Sequence, residues 1–241
     1  MMYAYGKGSC VFLLSLLLVA CGQRDGLAPV VELKWHAANS KQQRHVVVSG
    51  ETLYAIAFRY DQDYRQLAVI NHLSSPYTLR VGQVLRLQQS QSVQPARQAP
   101  RAKYRRQTPV PYVNNKKSGN SQWLWPADGK VVSRFIPQQG KKGIDIAGKK
   151  GAIIRAASGG VVAYAGSGLS GYGNLIIIKH NNQYLSAYGN NARNLVREGQ
   201  VIKSGQAIAQ MGVVNRKFWG VHFEIRKAGQ PVNPLNYLQK G

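Results

Sequence analysis

Acidic residues are scarce in this chain. Nine Asp and Glu stand against 32 Lys and Arg in 241 residues, a formal net charge of +23. Such a one-signed balance implies a polyanionic neighbour: nucleic acid, anionic lipid, or an acidic cell-wall polymer or protein. Cysteine is scarcer still, with only Cys10 and Cys21. Together with a length that accommodates one large or two small cores, this excludes a disulfide-stapled miniprotein. The N-terminal apolar run, Val11–Ala20, is half of the roughly 20 residues that a bilayer span requires. A fully hydrophilic, disordered chain is excluded as well, since 44% of residues are apolar. Histidine is limited to His36, His45, His72, His180 and His222, so any metal or acid–base site has few candidates.

The run VFLLSLLLVA follows Lys7 without an intervening acid and has the length of a signal-peptide core. It ends in Leu18-Val19-Ala20-Cys21, which resembles the bacterial lipobox; the alternative is a buried strand ending in an incidental cysteine. The resemblance implies a signal peptide over 1–20, removed with Cys10, and a mature chain anchored to the membrane through acyl chains on Cys21. Gly22, where an Asp would retain the protein at the inner membrane, implies the outer membrane, facing the periplasm. Export also removes nucleic acid as a partner. Residues 21–43 then form a tether.

Residues 44–88 have a different pattern. His45-Val46-Val47-Val48 reads as a strand and Ser49-Gly50-Glu51-Thr52 as a helix-capping turn. Leu53, Ile56, Ala57 and Tyr60 repeat at i, i+3, i+4, i+7, the apolar face of a helix. Leu67, Ile70 and Asn71 mark a second helix, and Thr78–Leu87 a turn and closing strand. This βααβ unit, with Gly50-Glu51-Thr52-Leu53, Asn71-His72-Leu73 and Val81-Gly82-Gln83-Val84-Leu85, resembles the LysM module. Glu51 stands where the family usually has Asp. The resemblance implies binding to the glycan of peptidoglycan through Gly50, Glu51 and Thr52 and the loop containing Leu73, Ser74 and Pro76. Each of these residues also has a possible structural role as turn or cap.

Residues 89–121 hold seven cations, no acid and many Gln, Pro and Ser, with neither helical nor strand period. They read as a disordered basic linker, either a solvated spacer or an attachment to anionic polymer or headgroups.

In residues 122–241 short apolar runs alternate with Gly-rich turns: Lys130–Phe135, Ala152–Ala156, Gly160–Tyr164, Asn174–His180, Tyr184–Tyr188 and Val221–Arg226. No segment of helix length is periodic, which predicts an all-β sheet or sandwich. The fold class expected for the whole chain is therefore α+β multidomain. The V-x-x-G-Q repeat over Val196–Ala209 is typical of biotinyl and lipoyl carriers, but a carrier needs a modifiable Lys between hydrophobes at a hairpin tip, and none is present. The domain resembles the lysostaphin/LytM-type peptidoglycan endopeptidases, with a duplicated hybrid-motif-like sandwich. The motifs are Gly143-Ile144-Asp145, Ala156–Val162, Gly171–Asn174, Ala187–Asn190, Val221–Arg226 and Asn233–Leu238.

Active members of that family hold zinc through a His and an Asp spaced H-x-x-x-D and through the second His of H-x-H, with two more histidines for proton transfer. Three protein ligands and an open position are what catalytic zinc requires. This sequence keeps Asp145 and His222. It has Lys141 in the place of the first ligand, Asn190 for one catalytic histidine and Gly220 for the first His of H-x-H. An ammonium offers zinc no lone pair, and neither Asn nor Gly does the proton work of imidazole. No zinc and no other cofactor is expected. Lys141 either offsets the charge of Asp145 or points to solvent.

Tether, LysM module, basic linker and degenerate LytM-type domain together resemble the NlpD/EnvC group of amidase activators. That resemblance implies a non-enzymatic groove that engages a periplasmic N-acetylmuramoyl-L-alanine amidase during cell-wall remodelling and daughter-cell separation. Lys142, Asp145, Tyr172, Tyr188, His222 and Arg226 are the expected groove residues; packing inside the sandwich is the alternative for the tyrosines. Two other readings remain open, an active zinc endopeptidase and a purely structural peptidoglycan tether.

Overall fold

The computed structural model describes residues 42–87 and 123–239. The signal segment, Cys21 and the linker lie outside the described residues.

The small module is built as its apolar spacing predicts. Strand β1 (Arg44–Val46) pairs antiparallel with β2 (Val84–Arg86), placing His45 opposite Leu85. The expected strand through Val48 ends early because the Val48 N–H donates to the Glu51 carboxylate at 3.0 Å instead of to a neighbouring strand. Between the strands lie α1 (Leu53–Arg59) and α2 (Tyr64–Ile70). Thr52 Oγ1 accepts the Ala55 N–H at 3.1 Å, and Asp63 Oδ1 accepts the Arg65 N–H at 2.8 Å. Each cap satisfies a donor that the helix start leaves orphaned. Leu53, Ile56, Ala57 and Tyr60 pack with Leu67 and Leu85 into the module's core.

The larger domain contains β3 (Lys130–Ser133), β4 (Ile144–Ala147), β5 (Ile153–Arg155), β6 (Gly160–Gly166), β7 (Asn174–Lys179), β8 (Tyr184–Asn194), β9 (Val201–Ile202), β10 (Ala207–Val214), β11 (Phe218–Lys227) and β12 (Gln230–Val232). All ten join one antiparallel sheet with the main order β3-β4-β11-β10-β8-β7-β6-β9. The layers expected of a sandwich are thus linked by hydrogen bonds. The link is β11, which pairs with β4, β8, β10 and β12 along its length. Strand β8 runs on past Tyr188 to Asn194, where Asn191 and Asn194 lie opposite Met211 and Ala209 of β10. The polar sequence there carries no strand period; the partner strand imposes the extended conformation.

Side chains from strands across the sheet, among them Ile144, Ile146, Ile154, Ile176, Ile178, Ile208, Val221, Phe223 and Ile225, form the main core. Strand β7 is apolar on both faces. Ile176 and Ile178 point into this core, whereas Leu175 and Ile177 belong to a second cluster with Tyr164, Leu169, Tyr172, Leu185 and two residues of α1, Ala55 and Phe58. The small module therefore packs on the outer face of the sheet. Thr52 Oγ1 donates to the Ala163 carbonyl at 3.1 Å and Arg59 to the Gly168 carbonyl at 3.0 Å along the same contact.

Candidate functional site

Alternation along β11 sets the site. Val221, Phe223 and Ile225 turn into the core, so His222, Glu224 and Arg226 share the opposite face. The register of β4 places Asp145 directly opposite His222, and that of β8 places Gly189 there. The missing side chain at Gly189 leaves room for Tyr172, whose carbonyl would lie 3.2 Å from an added Cβ.

These residues form a line of alternating charge. Asp145 Oδ1 lies 2.6 Å from His222 Nδ1, and His222 Nε2 lies 3.0 Å from Glu224 Oε1. The Tyr172 hydroxyl donates to the same Glu224 oxygen at 2.9 Å, and Arg226 Nε donates to Glu224 Oε2 at 2.7 Å. Arg226 Nη1 then donates to Asp61, and so does Lys142 Nζ. Asp61 belongs to the small module. Glu224 and Arg226 are almost completely buried. Burial alone would raise the Glu224 carboxyl, but Arg226, His222 and Tyr172 hold it down at about 2. Burial would likewise depress the His222 imidazolium, yet the two carboxylates outweigh it and lift its pKa to about 9. Desolvation, reinforced by Glu224, pushes the Tyr172 hydroxyl well above its ordinary value.

The arrangement does not fit the zinc that the endopeptidase resemblance brings to mind. Both ring nitrogens of His222 are committed to carboxylates, Asp145 on one side and Glu224 on the other. Lys141 is exposed, and the ion pair that Asp145 makes is with His222. Of the two readings for Lys141, the solvent-facing one describes the structure, and it is His222 that pairs with Asp145. At Gly220 an added Cβ would stand 2.4 Å from the Ile146 carbonyl oxygen of the neighbouring strand. A histidine there requires the backbone of β4 to move. Asn190 sits at φ +60, a left-handed conformation that Asn tolerates, with its N–H donating to the Tyr172 carbonyl at 2.6 Å.

Of the expected groove residues, Lys142, Asp145, Tyr172, His222 and Arg226 come together. Tyr188 does not. It is fully buried in the main core, its ring against Phe223, and its hydroxyl accepts the Ala157 N–H at 2.8 Å and lies 2.9 Å from Ser186 Oγ. Ser186 is in turn 2.7 Å from His180, whose other nitrogen faces the Gly159 carbonyl at 2.8 Å. Tyr188 thus completes a buried hydrogen-bond chain, away from the groove. The groove itself is covered by α1 of the module, a contact that spacing alone did not reveal. Phe58 meets Tyr172 edge to face at 5.3 Å between centroids and lies 4.3 Å from the Arg226 guanidinium carbon.

In the module, Gly50 is exposed at φ +78, and Ser74 and Pro76 are exposed beside the half-buried Leu73. The Glu51 side chain is buried instead, 2.7 Å from His45 Nε2 and 3.1 Å from Arg59. Thr52 is engaged twice, as helix cap and with Ala163.

Comparison with known proteins agrees with this anatomy. The LysM domain model matches residues 45–88, and that of Peptidase family M23 matches residues 139–234. The chain is 39% identical to the lipoprotein NlpD/LppB homolog of Pseudomonas aeruginosa, over 97% of this chain and 93% of that one. It is 40% identical to lipoprotein YgeR of Escherichia coli over 80% of each chain. With the murein hydrolase activator NlpD of the same organism it shares 37% identity, over 80% of this chain and 67% of the relative. On domain order and near full-length similarity, the chain belongs to the NlpD/LppB family of lipoproteins.

Proposed function

We propose that this protein is a non-enzymatic activator of periplasmic N-acetylmuramoyl-L-alanine amidases, bound to peptidoglycan through its LysM module and to the outer membrane through acyl chains on Cys21. The observation that carries the reading is His222, held between Asp145 at 2.6 Å and Glu224 at 3.0 Å. A histidine saturated by two carboxylates serves as a structural cation, which suits a groove that recognises rather than hydrolyses. Aromatic and Arg anchors set in a desolvated site are the residue types that dominate protein recognition. The name of the Escherichia coli relative, murein hydrolase activator, supports the same reading. Activation is then a population shift, the groove binding the open form of the amidase better than the closed one.

The test is release of dye from labelled peptidoglycan sacculi. The mature chain is expected to release none by itself, with or without added zinc, and to increase release by an amidase several-fold. No stimulation of any periplasmic amidase, combined with firm sacculus binding, would instead make the protein a structural tether.

A further inference from the structure

Strand β11 begins at the rim of the sheet with Phe218 and Trp219, ahead of His222. The hairpin that joins it to β10 closes in a turn in which the Lys217 N–H donates to the Val214 carbonyl at 2.9 Å. Asn215 and Arg216, the central residues, take left-handed φ values of +49 and +56. Such a turn matches the twist of paired strands, so regular hairpin geometry holds the tip out. The β4–β5 turn lies alongside. Ala147 is opposite Gly220, and the Gly148 N–H donates to the Trp219 carbonyl at 2.8 Å, which brings Lys149 and Lys150 beside the start of β11.

This rim is poor in acid. Of the four acidic residues after residue 121, Asp145 and Glu224 belong to the buried charge line. Glu198 accepts the Ala165 N–H at 3.3 Å, next to β9 at the far edge of the sheet. Asp128 alone of the four comes near, its backbone carbonyl 3.2 Å from a Cβ added at Gly148. Lys149, Lys150 and Lys217 are exposed, and among the described residues none of them makes an ion pair. Between the lysines the surface is apolar. Val213 is 43% exposed and sits opposite the half-buried Trp219. The Lys150 ammonium lies 5.4 Å from the Trp219 ring centre. Trp at headgroup level with lysines reaching to phosphate is the pattern of a membrane interface. A carboxylated cell-wall polymer would match the lysines but would leave Val213 uncovered.

We propose that this rim, with Lys149, Lys150 and Lys217 around Val213 and Trp219, docks on an anionic phospholipid surface. Each lysine near such a surface multiplies partitioning about 5-fold, so the three contribute on the order of 100-fold. That is weak for a protein free in solution. It suits a chain whose acyl anchor, as proposed above, already holds it near the bilayer, because a second contact is then intramolecular. Docking would orient the sheet with its β4–β5 and β10–β11 turns toward the headgroups.

The test uses the full mature chain with Cys21→Ser, so that no acyl chain masks the effect. It is floated with vesicles of phosphatidylcholine alone or mixed equally with phosphatidylglycerol. Binding is expected to the mixed vesicles only, and it should weaken with salt. The basic linker adds its own attraction, so the rim is read by comparing two variants that change only exposed side chains. Lys149→Gln/Lys150→Gln/Lys217→Gln should lower the partition coefficient on the order of 100-fold. Arg134→Gln/Arg197→Gln/Lys203→Gln, which removes three cations elsewhere on the sheet, should lower it by less than about 5-fold. Equal losses would reduce the effect to net charge and overturn the proposal. A second readout is contact with the acyl region. Lipids brominated near the headgroup should quench tryptophan emission in the parent, and the quenching should vanish in Trp219→Phe. No quenching in the parent, or undiminished quenching in Trp219→Phe, would also overturn it. So would a lysine variant that loses sedimentation with peptidoglycan sacculi yet keeps its vesicle binding, since the rim would then serve the cell-wall polymer. No amidase enters these measurements, so the activator reading stands or falls separately.

Discussion

Glu224 lies at the centre of the buried charge line. It accepts from Tyr172 and Arg226 and pairs with His222, with a fully buried side chain. A buried pair is weak evidence for stability, but removing one member leaves the other charge uncompensated. Glu224→Gln should therefore lower the unfolding free energy by about 3–5 kcal/mol, read as a fall in the denaturant midpoint at neutral pH. His180 gives a separate, pH-dependent signature. Its burial pushes the imidazole down to about 4, with the Gly159 carbonyl only partly opposing that. The unfolded chain therefore binds a proton that the folded one refuses. Stability contributed by neutral His180 is complete above about pH 6.5 and declines as pH falls towards 4, by about 3 kcal/mol at most. Urea titrations at pH 7.5 and 4.5 should show a smaller acid loss in His180→Asn than in the parent; equal losses would remove His180 as the cause. Residue by residue, Asp145 and His222 could be placed from the sequence because their motifs fix the register. Tyr188 could not, since nothing in its neighbourhood distinguishes a groove tyrosine from one whose hydroxyl ends a buried chain at Ala157 and Ser186.

At the level of elements, period and punctuation gave most of the architecture. The 3.6-residue face of Leu53, Ile56, Ala57 and Tyr60 located α1, and the Thr52 cap located its start. What escaped was the second apolar face of the same helix. Ala55 and Phe58 complete a helix that is apolar nearly all round, the pattern of one buried on every side. The unbroken Leu175-Ile176-Ile177-Ile178 run of β7 carried the matching signal, a strand covered on both faces. Each pattern alone is ambiguous, and only their juxtaposition identifies the contact. Strands β4 and β10 were hidden for another reason: they are short or interrupted by small residues, and their extended form depends on partners far away in sequence. The docked helix has a measurable consequence. Thr52, on the Gly50–Thr52 edge expected to meet glycan, already donates to Ala163. Phe58→Ala should therefore bind peptidoglycan sacculi more tightly than the parent, by roughly 3- to 10-fold in co-sedimentation, because that edge no longer has to be taken from the sheet. Unchanged affinity would mean that docking and glycan binding are independent.

The whole molecule joins a basic chain, a LysM module and an M23-type sheet in which His222 lies between two carboxylates. Domain order and the departures at Lys141, Asn190 and Gly220 from the zinc-peptidase pattern were legible in the sequence. The closed groove was not, because the acid that closes it, Asp61, lies 165 residues from its partner Arg226 and in the other domain. The central claim is that this sheet recognises and does not cut. The most direct measurement is dye release from labelled sacculi by the mature chain, stripped of metal and then supplied with zinc, in the presence and absence of a periplasmic amidase. No release is expected from the chain alone under either condition, and several-fold greater release is expected when the amidase is present with it. Zinc-dependent release by the chain alone would contradict it.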